Sequence, residues 1–194
     1  MNIGIYIYDD AEVLDFSGPF EVFSVASRFL KEDEKFNIFL ISENKTMITA
    51  RGGYEVNSKY TFANHPTLDV LLVVGGVHTE EVKKQKVITW ISEQSKKVKL
   101  IASVCTGAFL LAQAKVLTNH KVTTHWEDIE DLKKDYSSLE VISDVRWVDE
   151  GNIVSSAGIS AGIDMSLHLV SKLHSNELAL KTSKQMQFDW TKNK

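Results

Sequence analysis

One cysteine, Cys105, occurs among 194 residues, so no disulfide can close within the chain and a reducing compartment is expected. Proline is equally scarce, with two residues, and there are no low-complexity tracts, repeats or linkers. No apolar run is long enough to span a bilayer. Met1 leads directly into a strand-like segment with no basic n-region or signal core, so a cytoplasmic location is expected. Positive charge is not in excess. Lys and Arg number 22 against 26 Asp and Glu, a net charge of −4 that gives no general pull toward nucleic acid or anionic membrane. A single thiol also excludes a thiolate zinc cluster within one chain, and no metal site is expected.

What is present is the composition of an ordinary globular chain, 43% hydrophobic and 25% charged. Its length suits one domain, residues 1–194. Asn2 to Tyr8 reads as a strand, and Ser17-Gly18-Pro19 as the start of a helix, with the hydroxyl as cap and proline in the first turn. Phe36 to Ile41 is a second strand, and Thr46 to Phe62 reads as short strands broken by Gly52-Gly53. Val70 to Val74 is a continuous apolar run, the mark of a strand covered on both faces, and Leu100 to Val104, apolar but for Ser103, reads as another. Thr79 is placed to cap a helix with Glu80 and Glu81 in its first turn. Lys121 to Thr124 reads as a strand and Glu127 to Lys134 as a short charged helix. Val145 to Val148 and Ile153 to Ser155 flank a hairpin turn. From Ser160 the chain is helical, with a break near His174-Ser175-Asn176. This alternation predicts a three-layer α/β/α sandwich around a mostly parallel sheet, flavodoxin-like in architecture. In such a sheet the ligand site lies beyond the carboxyl ends of the strands.

Cys105 falls at such an end, where the apolar strand meets the small, helical run Gly107 to Ala112. A thiol there lies near free backbone N–H groups and the positive end of the helix, which predicts a lowered pKa. The arrangement is a cysteine version of the nucleophile elbow. Gly75-Gly76 follows the other buried strand. With the N–H of Thr106, its bare backbone is placed to stabilise negative charge on a substrate attacked by Cys105. Asp15, set among apolar neighbours after the first strand, is the candidate proton donor, since burial beside a thiolate raises a carboxyl pKa.

Five segments carry a resemblance: Leu14-Asp-Phe-Ser-Gly-Pro-Phe-Glu-Val22, Asp69-Val-Leu-Leu-Val-Val-Gly-Gly76, Ser103-Val-Cys-Thr-Gly107, Val122-Thr-Thr-His-Trp126 and Ala161-Gly-Ile-Asp164. In this order they resemble the ThiJ/PfpI superfamily, within the class I glutamine amidotransferase-like fold. The isonitrile hydratase branch matches best, together with sensor domains of arabinose-regulator-type transcription factors. The resemblance implies Cys105 as nucleophile and Asp15 as its acidic partner, with Gly76, Gly75 and Thr106 as backbone donors and pocket. The aspartate matches the hydratase branch, where many members carry glutamate. Val74 departs from relatives that carry proline before the double glycine.

The histidines narrow the chemistry. His125, twenty residues after the cysteine, is a secondary candidate for orienting it. The region around Ser155 to Gly158 lacks the histidine of glutamine amidotransferases. Thr106 stands where the protease-like branch has histidine after the cysteine. The resemblance to the isonitrile hydratase branch implies a cofactor-free addition of water to an isocyanide, giving an N-substituted formamide through a thioimidate on Cys105. A stand-alone ligand or redox sensor and a glyoxalase- or deglycase-like enzyme are the alternatives. A small-molecule substrate and a homodimer are the expected partners, with no nucleic acid and no membrane. His78, after the double glycine, reads as a surface or helix-start histidine, with the pocket rim as the alternative. Asp164 reads as structural, and Phe188-Asp189-Trp190 as a tail packing on the domain or on a second subunit.

Overall fold

Strands that are mostly apolar on both faces need cover on both, and this chain sets them side by side in the middle of one sheet. The computed structural model describes residues 1–193. From the amino end, β1 (Asn2–Tyr6) leads to α1 (Val13–Ser27) and β2 (Asn37–Ser42). The hairpin β3 (Met47–Ala50) and β4 (Tyr54–Asn57) follows, then β5 (Tyr60–Thr61) and β6 (Val70–Val73). A 3-10 turn at Glu81–Lys83 and α2 (Gln85–Ser95) bring the chain to β7 (Leu100–Val104) and α3 (Gly107–Gln113). Next come β8 (Lys121–Val122), α4 (Ile129–Asp135), β9 (Glu140–Val141), β10 (Trp147–Asp149) and β11 (Ile153–Ser156). The helices α5 (Ala161–Leu173) and α6 (Asn176–Gln185) close the chain.

The main sheet runs β10-β11-β7-β6-β1-β2-β5, parallel throughout except for β10, which is antiparallel to β11. Its central strands β6, β7 and β11 are buried at every residue. Helices α1, α5 and α6 pack on one another as one flanking layer, and α2 with α3 form the other. The expected α/β sandwich with its mostly parallel sheet is the observed fold.

Two local readings are corrected. The first helix begins at Val13, ahead of Ser17, and holds Pro19 in its interior. The chain is pinned just before it: Ala11 bridges Gly76, and the Glu12 N–H bonds the Gly75 carbonyl at 2.9 Å, so the helix must start at once. Ser17 donates back to the Val13 carbonyl at 2.8 Å and caps nothing. Near Thr79 the chain makes only the 3-10 turn before α2. Glu81, read as a first-turn acid of a helix, is buried against the Tyr6 hydroxyl. Asp164 is structural as expected, accepting from Arg146 Nε at 2.8 Å and from the Thr191 N–H at 2.8 Å. The tail packs on its own domain, with Trp190 Nε1 donating to the Asp164 carbonyl at 3.0 Å.

Gly107 lets β7 turn into α3 directly against β6. A Cβ at that position would lie 2.2 Å from the Val73 carbonyl oxygen, a backbone atom that cannot yield. Gly107→Ala is therefore expected to destabilise the protein by about 3 kcal/mol, as overpacking does. A thermal melt should fall by roughly 10 °C. An unchanged melting temperature would contradict this packing.

Candidate active site

Cys105 holds a backbone φ of 55°, a left-handed conformation that non-glycine residues rarely adopt. The elbow keeps it there. Its N–H bonds the Ser156 carbonyl at 3.2 Å, and its own carbonyl accepts from the Thr124 hydroxyl at 2.9 Å. Such strain persists only where neighbouring structure over-determines it, and here two strands and a threonine do so. The side chain is 7% exposed, at the floor of an open cavity.

Asp15, in the first turn of α1, is fully buried. Its Oδ2 accepts the Gly75 N–H at 3.0 Å, while Oδ1 has no partner of good geometry. Burial pushes the carboxyl up from 3.8 to about 7. The Gly75 N–H, and the approach of the Ile159 N–H and the Cys105 thiol, offset part of that rise. The thiol is pushed up as well, first by burial and then by the Asp15 charge, with the Thr106 N–H acting in the opposite sense. A lowered thiol pKa was the expectation from the helix start. Burial outweighs that effect, and the neighbouring Asp15 charge adds to it. The buried pair favours one negative charge between them: a carboxylate beside a thiol, or a thiolate beside a carboxylic acid.

The glycines act differently from the expectation. The Gly75 N–H is committed to Asp15, and the Gly76 N–H to the Thr106 hydroxyl at 2.9 Å. That hydroxyl in turn donates to the Gly76 carbonyl at 3.0 Å. Neither N–H is free for a substrate oxygen. Their role is to fix Asp15 and Thr106 against the cysteine. A side chain at Gly75 could not fit, because its Cβ would fall 2.6 Å from the Thr106 nitrogen and 2.8 Å from the Cys105 Cβ.

The cavity above Cys105 measures about 520 Å³ and is walled by polar groups. His78 and His125 both line it. His78 packs at a tilt against Phe109 with ring centroids 4.3 Å apart, and burial lowers its pKa. His125 Nδ1 lies 3.5 Å from an Asp128 carboxylate oxygen and accepts the Glu127 N–H at 3.4 Å. Its ring packs over Gly158, where a Cβ would meet Cδ2 at 2.0 Å. It therefore faces the carboxylates of its own loop. Glu12, Arg51, Glu127, Asp128 and Ile159 complete the wall and were not singled out in the sequence. Arg51 precedes the glycine pair that turns β3 into β4, and that turn was the only available signal. Among the described residues no group of three or more His, Cys, Asp or Glu side chains converges as a metal site.

Residues 1–172 match the DJ-1/PfpI family. The chain belongs to it. Within the DJ-1/PfpI family it is similar to an isonitrile hydratase from Pseudomonas putida, with 28% identity over 97% of this chain and 78% of that enzyme. It is also similar to the transcriptional regulator GbdR from Pseudomonas aeruginosa, with 23% identity over 99% of this chain but only 52% of the regulator. A ThiJ/PfpI family structure from Pseudomonas syringae superposes with a TM-score of 0.86 at 24% identity, covering 97% of this chain and 75% of that one. That likeness carries the fold of the DJ-1/PfpI family and no more.

The raised carboxyl pKa fixes the sign of a pH effect. Below 3.8 both folded and unfolded chains hold the Asp15 proton; between 3.8 and about 7 only the folded chain does, so stability falls as pH rises through this window. Asp15→Asn removes the effect. The variant should be more stable than the parent at about pH 8, by up to about 4 kcal/mol, and the gap should close by about pH 4. Urea midpoints at the two pH values measure it, and a gap independent of pH would contradict the assignment.

Proposed function

We propose that the protein is a cysteine-dependent hydro-lyase of the isonitrile hydratase type, and that the pairing of buried Asp15 with Cys105 at the elbow carries this reading. The pair holds one transferable proton. When it sits on Asp15, the Cys105 thiolate adds to the terminal carbon of the isocyanide and forms the S–C bond. Asp15 gives its proton to the same carbon, completing the thioimidate. The carboxylate then takes a proton from water as the water oxygen adds to that carbon, and passes it to the nitrogen. Collapse of the adduct returns the hydroxyl proton to Asp15, forms the formamide carbonyl and breaks the C–S bond. The thiolate and the carboxylic acid are restored, and one water has been added. The chemistry calls for neither metal nor organic cofactor.

The cavity suits a small molecule, and its carboxylates favour neutral or polar substrates over anions. A homodimer fits the apolar groove of about 560 Å³ between Leu14, Phe16, Phe20, Ile163 and Met186, which a second copy of α1 would cover. A second reading, a sensor of ligand or oxidation, draws support from the similarity to GbdR over half of that regulator's length.

A substrate panel on the purified protein tests the proposal. A simple isocyanide should be converted to its formamide without added metal, and Cys105→Ala should abolish turnover. Asp15→Glu should cost on the order of 100-fold, because one extra methylene displaces the carboxyl from the reacting atoms. His125→Ala should cost less than either. Turnover that survives Cys105→Ala would remove the mechanism, and silence on isocyanides with reversible peroxide oxidation of Cys105 would favour the sensor.

A further inference from the structure

The cavity over Cys105 is polar except at one place. Of the side chains that wall it, Ile159 alone is aliphatic. Ile159 is 37% exposed and Trp126 is 75% exposed, two large apolar groups left open to water. Both adjoin the His125 ring, which lines the same cavity. The Trp126 and His125 ring centroids lie 5.7 Å apart. His125 in turn lies over Gly158, the residue before Ile159, so closely that no side chain would fit between them. Val77, also exposed, stands between Gly76 and His78, which are both wall residues. Single exposed apolar residues are ordinary on a protein surface; a group of them beside the opening of a cavity marks a place for a ligand.

The polar groups of the wall face one another. Arg51 lies 3.5 Å from Glu12, and His125 Nδ1 lies 3.5 Å from Asp128 and 3.8 Å from Glu127. The Thr106 hydroxyl is engaged with both polar atoms of the Gly76 peptide. The reacting sulfur lies at the floor. An isocyanide is linear and is attacked at its terminal carbon, so its nitrogen substituent must run from the floor toward the opening. Trp126 and Ile159 are the apolar surface it can meet on that path.

We propose that Trp126 and Ile159 form the subsite for the organic substituent of the substrate, and that the site selects an isocyanide carrying a neutral aromatic group over one carrying a short alkyl chain. Trp126 offers a flat face for stacking, and Ile159 offers apolar surface that the bound substituent removes from water. The two are specificity residues. The Ile159 N–H that approaches Asp15 belongs to the backbone and is kept in Ile159→Ala. The isocyanide rests on the hydratase reading above, whereas the subsite rests only on Cys105 being the reacting group.

Two alkylating reagents with the same reacting group separate the subsite from the reaction. Iodoacetamide and N-benzyl-2-iodoacetamide are compared on Cys105 in the parent, Trp126→Ala, Trp126→Phe and Ile159→Ala, each rate divided by that of the same reagent with free glutathione. The parent should prefer the benzyl reagent about tenfold, and Trp126→Ala should lose most of that preference while Trp126→Phe keeps most of it. Ile159→Ala should lower the preference about threefold. A merely structural Trp126 would change both rates together and leave their ratio alone. An equal ratio in parent and Trp126→Ala overturns the proposal, as does a parent that shows no preference or reacts with neither reagent. Loss of a dimer in Trp126→Ala by light scattering, with the ratio unmoved, also overturns it and makes the tryptophan a contact between copies. Benzyl isocyanide should likewise exceed methyl isocyanide about tenfold in kcat/KM, with the effect of Trp126→Ala falling on KM. A benzyl preference in alkylation with no turnover of either isocyanide would retire the hydratase reading and still support the subsite.

Discussion

A carboxyl group with no exposure to water, held by one backbone N–H beside a thiol, is the interaction on which the proposed chemistry depends. Desolvation makes two charges there prohibitive, so Asp15 and Cys105 behave as one acid with one proton to place. This is the property needed for adding water across an isocyanide. The proposed reaction begins with a nucleophile and a proton donor side by side, uses both, and ends with both restored. A freely ionised cysteine would provide the nucleophile without the acid.

The fold supports this pair through close backbone approach. Gly75 is tolerated as the residue opposite Cys105 only because it lacks a side chain, and Gly107 because α3 begins against the Val73 carbonyl. Both glycines lie at the carboxyl ends of the central strands, where a parallel sheet leaves its crevice. The Thr106 hydroxyl joins the two loops by bonding both atoms of the Gly76 peptide. The strained φ of Cys105 is thus held from three sides and gives the sulfur a fixed position at the floor of the cavity.

Most of the architecture was legible because it rests on periodicity. The run Val70 to Val73, wholly apolar, and Leu100 to Val104, apolar but for Ser103, announce strands covered on both faces, and the break near Ser175 separates α5 from α6 as expected. The start of α1 was not legible, since it is set by the bridge between Ala11 and Gly76, a contact across some sixty residues of chain. In the site, Cys105 and Asp15 could be named from local pattern and family resemblance. The fate of the Gly75 and Gly76 N–H groups could not, because what they bond is decided by tertiary packing. The rise in the thiol pKa has the same origin: the helix start is visible in sequence, and the depth of burial that outweighs it is not.

The covalent intermediate is the most direct test of the account. Acid-quenched turnover of an isocyanide, followed by peptide mass spectrometry, should show one isocyanide mass on the peptide containing Cys105. The adduct should be retained when the resolving water cannot be activated, as in Asp15→Asn supplied with an external proton donor. Steady release of formamide with Cys105 unmodified at every quench time, in both proteins, would contradict it.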